Sequence, residues 1–294
     1  MLMYKSIMNY FEYYPRIPDD SAWGFRVSAS GYTRFESDLN YPPANHPQDH
    51  HFTWESGRML AALQVIGIRE GAGVIEWGGG RHTLRAGDCM VIVPGVWHRY
   101  RPDALGGWTE DWFELRGRVI DSLPLDVFKR QPFTHIPRDD PFWRRFEEFH
   151  EVCRTRPAGG RDIAAGLART MIASVRAAAD TTAGSGAQRA DAEFYESARE
   201  RLMAGESVAE IAHAMGLSYP HFYRRFKAVV RLSPKEYHAQ IRHYRAEVLL
   251  LTGRFSIKEI ASKLGFHSAA HFSVEFKKRA KKAPAQWRNQ PDSD

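Results

Sequence analysis

One pattern occurs twice between residues 208 and 288, and it commits the C-terminal third of the chain to paired helical hairpins. Glu-Ile-Ala recurs at 210–212 and 259–261, Gly at 216 and 265, His-Phe at 221–222 and 271–272, and Phe-Lys at 226–227 and 276–277. The offset grows from 49 to 50 residues between the glycine and the histidine, so the second copy carries one extra residue in its turn. Val208, Ile211, Ala212 and Met215 fall at i, i+3, i+4 and i+7, a single apolar helical stripe. Gly216 supplies the left-handed residue that ends this helix. Ser218 is a good N-cap, and Pro220 is tolerated in the first turn of the next helix. That second helix buries Phe222 and Phe226 and leaves His221, Tyr223, Arg224 and Arg225 to other faces. Such a helix can enter a major groove and offer its N-terminal side chains to base edges.

A repeated hairpin can equally bind protein, and charge decides between the two. Residues 192–294 hold 18 Lys+Arg against 11 Asp+Glu, a net of +7, whereas residues 1–191 hold 23 against 24, a net of −1. The whole basic excess therefore sits with the repeats, as expected of a phosphate binder. Between the copies, Ser233 and Pro234 open one helix running to about Leu251, with Tyr237, Ile241, Tyr244 and Val248 on its apolar stripe. About 17 helical residues span ~25 Å. A spacer of that length can hold two recognition helices about one DNA turn apart, ~34 Å, on one face of the duplex.

Residues 196–290 resemble the DNA-binding domain of the AraC/XylS family of transcription regulators. The resemblance rests on Ile211-Ala212, Gly216, Phe226-Lys227, Ser233-Pro234, Ala246, Leu249-Leu250, Ile257, Glu259-Ile260-Ala261, Gly265-Phe266, Phe272, Phe276-Lys277, Pro284 and Arg288. It implies base reading by Pro220, Tyr223 and Arg224 in the first recognition helix and by Ala269, Ala270, Ser273 and Val274 in the second. Ser218, His221, Arg225 and Lys227 lie around the first helix, and His267, Ser268, His271 and Lys277 around the second. Val274 departs from the arginine common there in the family, and the two alanines offer only apolar contact, for instance to a thymine methyl. The first helix is therefore expected to carry more of the direct readout, and the second mainly to position the domain. Arg231 and Lys281 stand where the family usually has the glycine that ends each recognition helix. Either these helix ends differ, or the added charge serves phosphates.

The chain's 294 residues are enough for two domains with real cores. The start shows no basic region followed by an apolar run, and no stretch approaches the ~18 apolar residues of a membrane helix, so a cytoplasmic protein is expected. The two cysteines, Cys89 and Cys153, are too few for a zinc site. Residues 1–50 are aromatic and proline-punctuated and read as an extended arm that either caps a ligand or packs on its own domain. His46, His50 and His51 in that arm suit either a metal or plain solvation.

Residues 52–116 read as all-β, with short strands at 52–54, 60–68, 74–77, 82–84, 89–93, 97–100 and 108–115 and turns at 70–73 and 78–80. The glycine turns, Leu84 to Asp88, and Val93-Pro94-Gly95 ahead of His98 and Tyr100 resemble the cupin-like sensor domain of sugar-responsive AraC-family members. His98 stands where a metal-dependent cupin has its later histidine, but the earlier ligand set is missing, and one histidine cannot fill a coordination shell. No metal, no other cofactor and no catalysis are expected. His98 and Tyr100 share strand parity, as do Glu110, Trp112 and Glu114. The resemblance implies that Arg58, Tyr100, Glu110 and Trp112 line an effector pocket, with His98 and Glu114 beside them; core packing is the alternative for each aromatic. Trp108 is read as core.

Residues 139–180 carry two helical stripes, one through Phe142, Phe146 and Phe149 and one through Ile163, Leu167, Met171 and Val175. They read as a dimerisation surface by resemblance, or else as an internal cover for the β-domain. The resulting architecture is α+β: a cupin-like barrel or jelly roll at 1–125, a helical dimerisation or packing segment at 126–180, a flexible linker at 181–191 and a double helix-turn-helix domain at 192–290. The expected function is a DNA-binding transcriptional regulator, an activator by family habit, controlled by a small-molecule effector, most plausibly a sugar. Its expected partners are double-stranded promoter DNA, a second copy of the chain and RNA polymerase. A cupin enzyme fused to a DNA-binding domain, and a regulator whose barrel only dimerises, are the alternatives.

Overall fold

A computed structural model describes residues 9–14, 23–36, 41, 53–179 and 186–289. Most of the expected N-terminal arm, with His46, His50 and His51, and residues 181–185 of the expected linker lie outside the described residues. The N-terminal half is built on strands β1 (Tyr10–Tyr13), β2 (Arg26–Phe35), β3 (Leu63–Trp77), β4 (Gly80–Arg85), β5 (Asp88–Ile92), β6 (His98–Pro102) and β7 (Trp108–Arg116), then helix α1 (Asp126–Arg130) and strand β8 (Phe133–His135). Pairing is antiparallel throughout, in the order β1-β2-β7-β3-β5-β8, with β4 and β6 also on β3.

The expected turn at 70–73 is instead the middle of one 15-residue strand. The register shifts between Ile68 and Glu70, and Gly71 takes φ +78°. This is a bulge with Arg69 as the extra residue, followed two residues on by a left-handed glycine. It bends β3 so that residues 64–67 pair with β5 while residues 72–77 pair with β4 and β6. The bent strand makes the two layers face each other across a shared interior. That interior holds Ile66, Ile68, Ile75, Trp77, Leu84, Tyr100, Trp108 and Trp112.

The other face of the sheet is apolar too, with Leu63, Val65, Phe113 and Leu115, and two helices cover it. Helix α2 (Pro141–Thr155) begins at Asp140, whose side chain accepts a hydrogen bond from the Phe142 backbone N–H, and α3 (Gly160–Ala179) follows. Phe142, Phe146 and Phe149 are fully buried against Phe113 and the sheet. Each such burial contributes roughly 1.5–3 kcal/mol. One face of the segment expected to dimerise is thus spent on internal packing.

The C-terminal half is all helical: α4 (Gly186–Ala204), α5 (Val208–Ala214), α6 (Tyr219–Val230), α7 (Pro234–Leu251), α8 (Ile257–Lys263), α9 (Ala269–Ala280) and α10 (Pro284–Arg288). Helix α4 corrects the expected linker at 181–191, because its first turns already occupy residues 186–191; Ala187, Ala190 and Ala192 are strong helix formers. Ser207 with Glu210, Ser233 with Glu236 and Ser256 with Glu259 form reciprocal capping boxes that set where α5, α7 and α8 begin. Ile211, Phe222, Phe226, Tyr237 and Ile241 close one core around the first hairpin; Ala246, Leu250, Ile260, Phe272, Phe276 and Trp287 close a second around the other. Helix α7 contributes to both, which is how a single spacer fixes the two hairpins.

Arg231 and Lys281 settle the question of the helix ends. Both keep the left-handed conformation, with φ of 64° and 57°, despite a cost of roughly 1–2 kcal/mol for a residue with a Cβ. Replacing either by glycine is expected to stabilise the domain by about 1 kcal/mol in urea unfolding. If no stabilisation is measured, the neighbouring packing has already relieved the strain. Among the described residues no helix is long and apolar enough to cross a membrane.

Candidate functional site

Two surfaces hold the functional side chains, one on the hairpins and one inside the β-domain. On the first, α6 and α9 bury equivalent phenylalanine pairs, Phe222 with Phe226 and Phe272 with Phe276, and so expose equivalent faces. Ser218, Pro220, His221, Arg224 and Lys227 are exposed around α6, and Tyr223 is half-buried. The Ser218 side chain makes no cap hydrogen bond within the helix, which leaves its hydroxyl for another partner. Arg225 behaves differently from its neighbour. Its guanidinium lies 4.2 Å from the Phe194 ring centroid and 3.6 Å from Asp191 Oδ1, and it donates to the Ala190 carbonyl. It is turned onto α4, away from the face that Arg224 presents, and so departs from the expected set of DNA contacts.

The second hairpin exposes His267, Ser268, Ala270, His271, Val274 and Lys277, with Ala269 and Ser273 half-buried. Its polar side chains are partly committed to the helix itself. Ser268 Oγ accepts from the His271 N–H at 3.1 Å, and Ser273 Oγ donates to the Ala269 carbonyl at 2.8 Å. Glu275, at the position equivalent to Arg225, pairs with Lys278. What remains outward at the centre of α9 is apolar, and Val274 is 56% exposed.

The second surface is a buried polar cluster in the β-domain. Arg58 and His98 exchange both backbone hydrogen bonds, at 2.9 and 3.0 Å, which puts their side chains on one face. The Arg58 guanidinium donates to His98 Nε2 at 3.2 Å, to Tyr100 Oη at 2.7 Å and to Gln64 Oε1 at 3.2 Å. Burial first, and then the Arg58 charge, pull the His98 pKa down to about 3, so its imidazole is neutral. Its partners fix the tautomer: Nδ1–H donates to the Val96 carbonyl, leaving Nε2 to accept from Arg58. The His98 and Tyr100 rings stack 5.9 Å apart, in keeping with their shared strand parity.

Glu110 lies on the same interior face and is buried. Burial raises its pKa to about 8, against the opposing pull of Arg58, so the carboxyl is largely protonated at neutral pH. Its Oε2 and the Thr33 hydroxyl, both buried, have no hydrogen-bond partner among the described residues, while the Trp108 indole N–H and the Tyr41 hydroxyl face the carboxyl and hold its pKa down. Thr33 is Glu110's cross-strand partner and Trp108 shares its strand face. Buried polar atoms left unpaired on adjoining positions are costly in a dry interior. Tyr41, half-buried and within 5.8 Å of both the Tyr100 and Trp108 ring centroids, closes the aromatic wall.

Trp112 shares that interior face, packed tightly over Gly31, where an added Cβ would come within 2.7 Å of the indole. Glu114 is otherwise engaged: it accepts from Ser28 Oγ at 2.6 Å and from Arg116 Nε at 2.8 Å, so it is an anchor of the sheet more than a free ligand for a guest.

A family description as AraC-like ligand binding domain matches residues 41–169, and one as helix-turn-helix domain matches residues 211–290. The chain belongs to the AraC family. It is similar to the lactose operon transcription activator of Staphylococcus xylosus, 23% identical over 235 residues, covering 76% of this chain and 82% of that protein. It is also similar to the MmsAB operon regulatory protein of Pseudomonas aeruginosa, 25% identical over 230 residues, covering 76% and 71%. Its likeness to the Msm operon regulatory protein of Streptococcus mutans is stronger but shorter: 36% over 83 residues, which span 30% of that protein. Among solved structures, ToxT from Vibrio cholerae superposes over 79% of this chain and 90% of its own, with 14% identity and a TM-score of 0.44.

In this AraC-family transcriptional regulator with a ligand-binding domain, the expected site residues fall unevenly. The buried cluster gathers Arg58, His98, Tyr100 and Glu110, with Trp112 alongside. Sequence reasoning missed Gln64, Tyr41 and Thr33 and assigned Trp108 wholly to the core. Gln64 had a signal, being the one polar residue in the apolar run from 63 to 68. Thr33 lies in β2, inside a stretch that had no clear strand reading. Tyr219, 51% exposed at the start of α6, also escaped notice and adds an aromatic edge to the first recognition helix.

Proposed function

We propose that the C-terminal domain reads duplex DNA with α6 and α9 and that the β-domain binds a small neutral polyol, a sugar, which controls that reading. The observation that carries the DNA half is the pair of equivalent exposed helix faces on the segment that holds the chain's entire basic excess. Arg224 and Tyr223, with Pro220 and Tyr219, form the base-reading face of α6. Lys227, Lys277, Lys278, His221, His267 and His271 serve the phosphates. Converting Lys277 to alanine is expected to weaken binding equally on all duplexes and to lower the salt slope by about one; a loss confined to one sequence would move Lys277 into the base-reading set.

The apolar centre of α9 has its own consequence. Ala270 and Val274 can touch a thymine methyl but cannot hydrogen-bond a base edge. Replacing thymine by deoxyuridine under α9 removes only methyl groups. It is expected to weaken binding several-fold there and to leave positions without α9 contacts unaffected. An unchanged affinity would leave α9 as a phosphate anchor alone.

For the effector, the support is chemical. Arg58, neutral His98, Gln64 and Tyr100 offer donors and acceptors; the Glu110 Oε2 and Thr33 hydroxyl await partners; and Tyr41, Tyr100, Trp108 and Trp112 supply flat apolar faces. This mixture of stacking and multiple hydroxyl partners suits a saccharide. The lactose operon activator among the relatives adds weight. A thermal-shift screen against mono- and disaccharides tests it, since a ligand that binds only the folded state raises its stability. No stabilising sugar would return the β-domain to a scaffold role. Activation, homodimer formation and contact with RNA polymerase follow the family pattern as expectations. The outward face of α3 at Ile163, Thr170, Ala173 and Ala177 is the surface a second copy would meet, and sedimentation of an Ile163→Glu variant tests that.

A further inference from the structure

The interior cluster and the DNA-binding half meet through two adjacent dipeptides, Arg58-Met59 and Trp97-His98. Because Arg58 and His98 form a hydrogen-bonded antiparallel pair, their side chains share one face and those of Met59 and Trp97 take the opposite one. Arg58 and His98 point into the buried polar cluster proposed above as the effector site. Met59 and Trp97 instead belong to the core that holds Phe194, Tyr195, Ala198, Ile211, Phe222, Phe226, Tyr237 and Ile241. These are residues of α4, α5, α6 and α7, so the core of the first hairpin is completed by the β-domain.

Polar contacts lock this seam. The Trp97 backbone N–H donates to Tyr195 Oη at 3.3 Å, and Tyr195 Oη is 2.8 Å from Tyr237 Oη on α7. Trp97 Nε1 and Gln240 Nε2 both donate to the Ser56 carbonyl, each at 3.0 Å. One indole and one amide from opposite halves of the chain thus share a single acceptor. Glycines let the surfaces close: an added Cβ at Gly78 would come within 2.1 Å of the Tyr195 ring, and one at Gly57 within 2.6 Å of Trp97.

We propose that Trp97 and Met59 are positioning residues that transmit occupancy of the pocket to the first recognition helix, by way of the Arg58–His98 bridge. This rests on the effector and DNA-binding readings above. A guest that displaces the backbone bridge of Arg58 and His98 also displaces Met59 and Trp97, because one peptide unit joins each pair. The partners of those neighbours, Tyr195, Tyr237 and Gln240, belong to helices that pack against α6. The structure supplies the contact that such coupling needs, an element touching both sites; the cycle below tests whether each site biases it.

A double-mutant cycle on the full chain tests this without knowing the effector. The probe is a duplex selected from a randomised library by the unaltered protein. Arg58→Gln disturbs the pocket side, and Tyr195→Phe removes the hydroxyl that holds the Trp97 backbone. Independent, distant sites change affinity multiplicatively to within about twofold. The expected result is a departure of at least roughly threefold from the product of the single effects. Gln240→Ala, paired with the same Arg58→Gln, is the second cycle should Tyr195→Phe fold poorly, and the same departure is expected. Multiplicative effects in both cycles would overturn the relay while leaving pocket and DNA binding intact. Failure to select any duplex would instead overturn the DNA-binding reading, and the relay with it.

Discussion

Replacing Arg224 by alanine is expected to cost about 1–3 kcal/mol on the preferred duplex and almost nothing on random DNA. The side chain is exposed at the fourth position after the proline of α6, on the face that the buried Phe222 and Phe226 leave outward. An arginine there can donate two hydrogen bonds to a guanine edge, an interaction no other base offers in the same geometry. Loss of a phosphate contact would look different: affinity would fall on every sequence and the salt slope would shrink. Arg225→Ala is the internal control. Its guanidinium covers Phe194 and reaches Asp191 on α4, so its removal should lower thermal stability modestly and leave sequence preference unchanged. Equal losses on preferred and random duplexes for Arg224→Ala would reassign Arg224 to the backbone. A change of sequence preference for Arg225→Ala would show that it leaves α4 when DNA binds.

The contrast between Arg224 and Arg225 also shows where sequence reading stops. Helical period and the recurring glycine at 216 and 265 placed both hairpins, since these are local properties that neighbours along the chain determine. Which of two adjacent arginines is tied down depends on α4, a helix that begins in a stretch of small and polar residues read as linker. Its order comes from packing Phe194, Tyr195, Ala198 and Leu202 into the first hairpin's core, and propensity over a short window does not carry that information. The bulge in β3 is a similar case. Glu-Gly-Ala-Gly has the composition of a turn, and only its pairing with β7 across the register shift keeps the chain extended. The pocket was legible in part. Strand parity put His98 with Tyr100 and Glu110 with Trp112, but Gln64, Thr33 and Tyr41 enter it from strands or segments distant in sequence. Arg58 owes its central place to an isolated bridge with His98 that no local pattern announces. Arg231 and Lys281 went the other way: the family pattern of a left-handed helix end survives there even without the glycine that usually allows it.

Glu110 offers the largest expected effect in the β-domain. Its pKa stands at about 8 in the folded chain against an ordinary 4.5. Burial is the main cause and Asp111 adds to it, while Arg58, Trp108 and Tyr41 oppose it. Between those two values the folded protein keeps a proton that the unfolded chain has released, so rising pH favours unfolding. The contribution is intact below about pH 4.5, declines steadily through neutrality and is fully lost above about pH 8. At about 1.4 kcal/mol per tenfold change in proton binding, the full loss approaches ~5 kcal/mol, a large share of the ~5–15 kcal/mol that holds a typical domain. Glu110→Gln keeps the neutral shape and cannot ionise. The unfolding free energy of the wild type relative to this variant should therefore fall by several kcal/mol between about pH 5 and pH 8.5, followed by urea titration at each pH. Histidines and other groups titrate alike in both proteins and cancel in the difference. A flat difference would mean that water or a nearby cation already stabilises the carboxylate and that the site is wet. The same proton bears on the effector. In the proposed sugar complex a neutral Glu110 would donate to one hydroxyl while its second oxygen accepts from another, whereas an ionised one can only accept. Sugar affinity is then expected to fall as pH passes about 8 in the wild type and to stay level in Glu110→Gln, whose amide still donates.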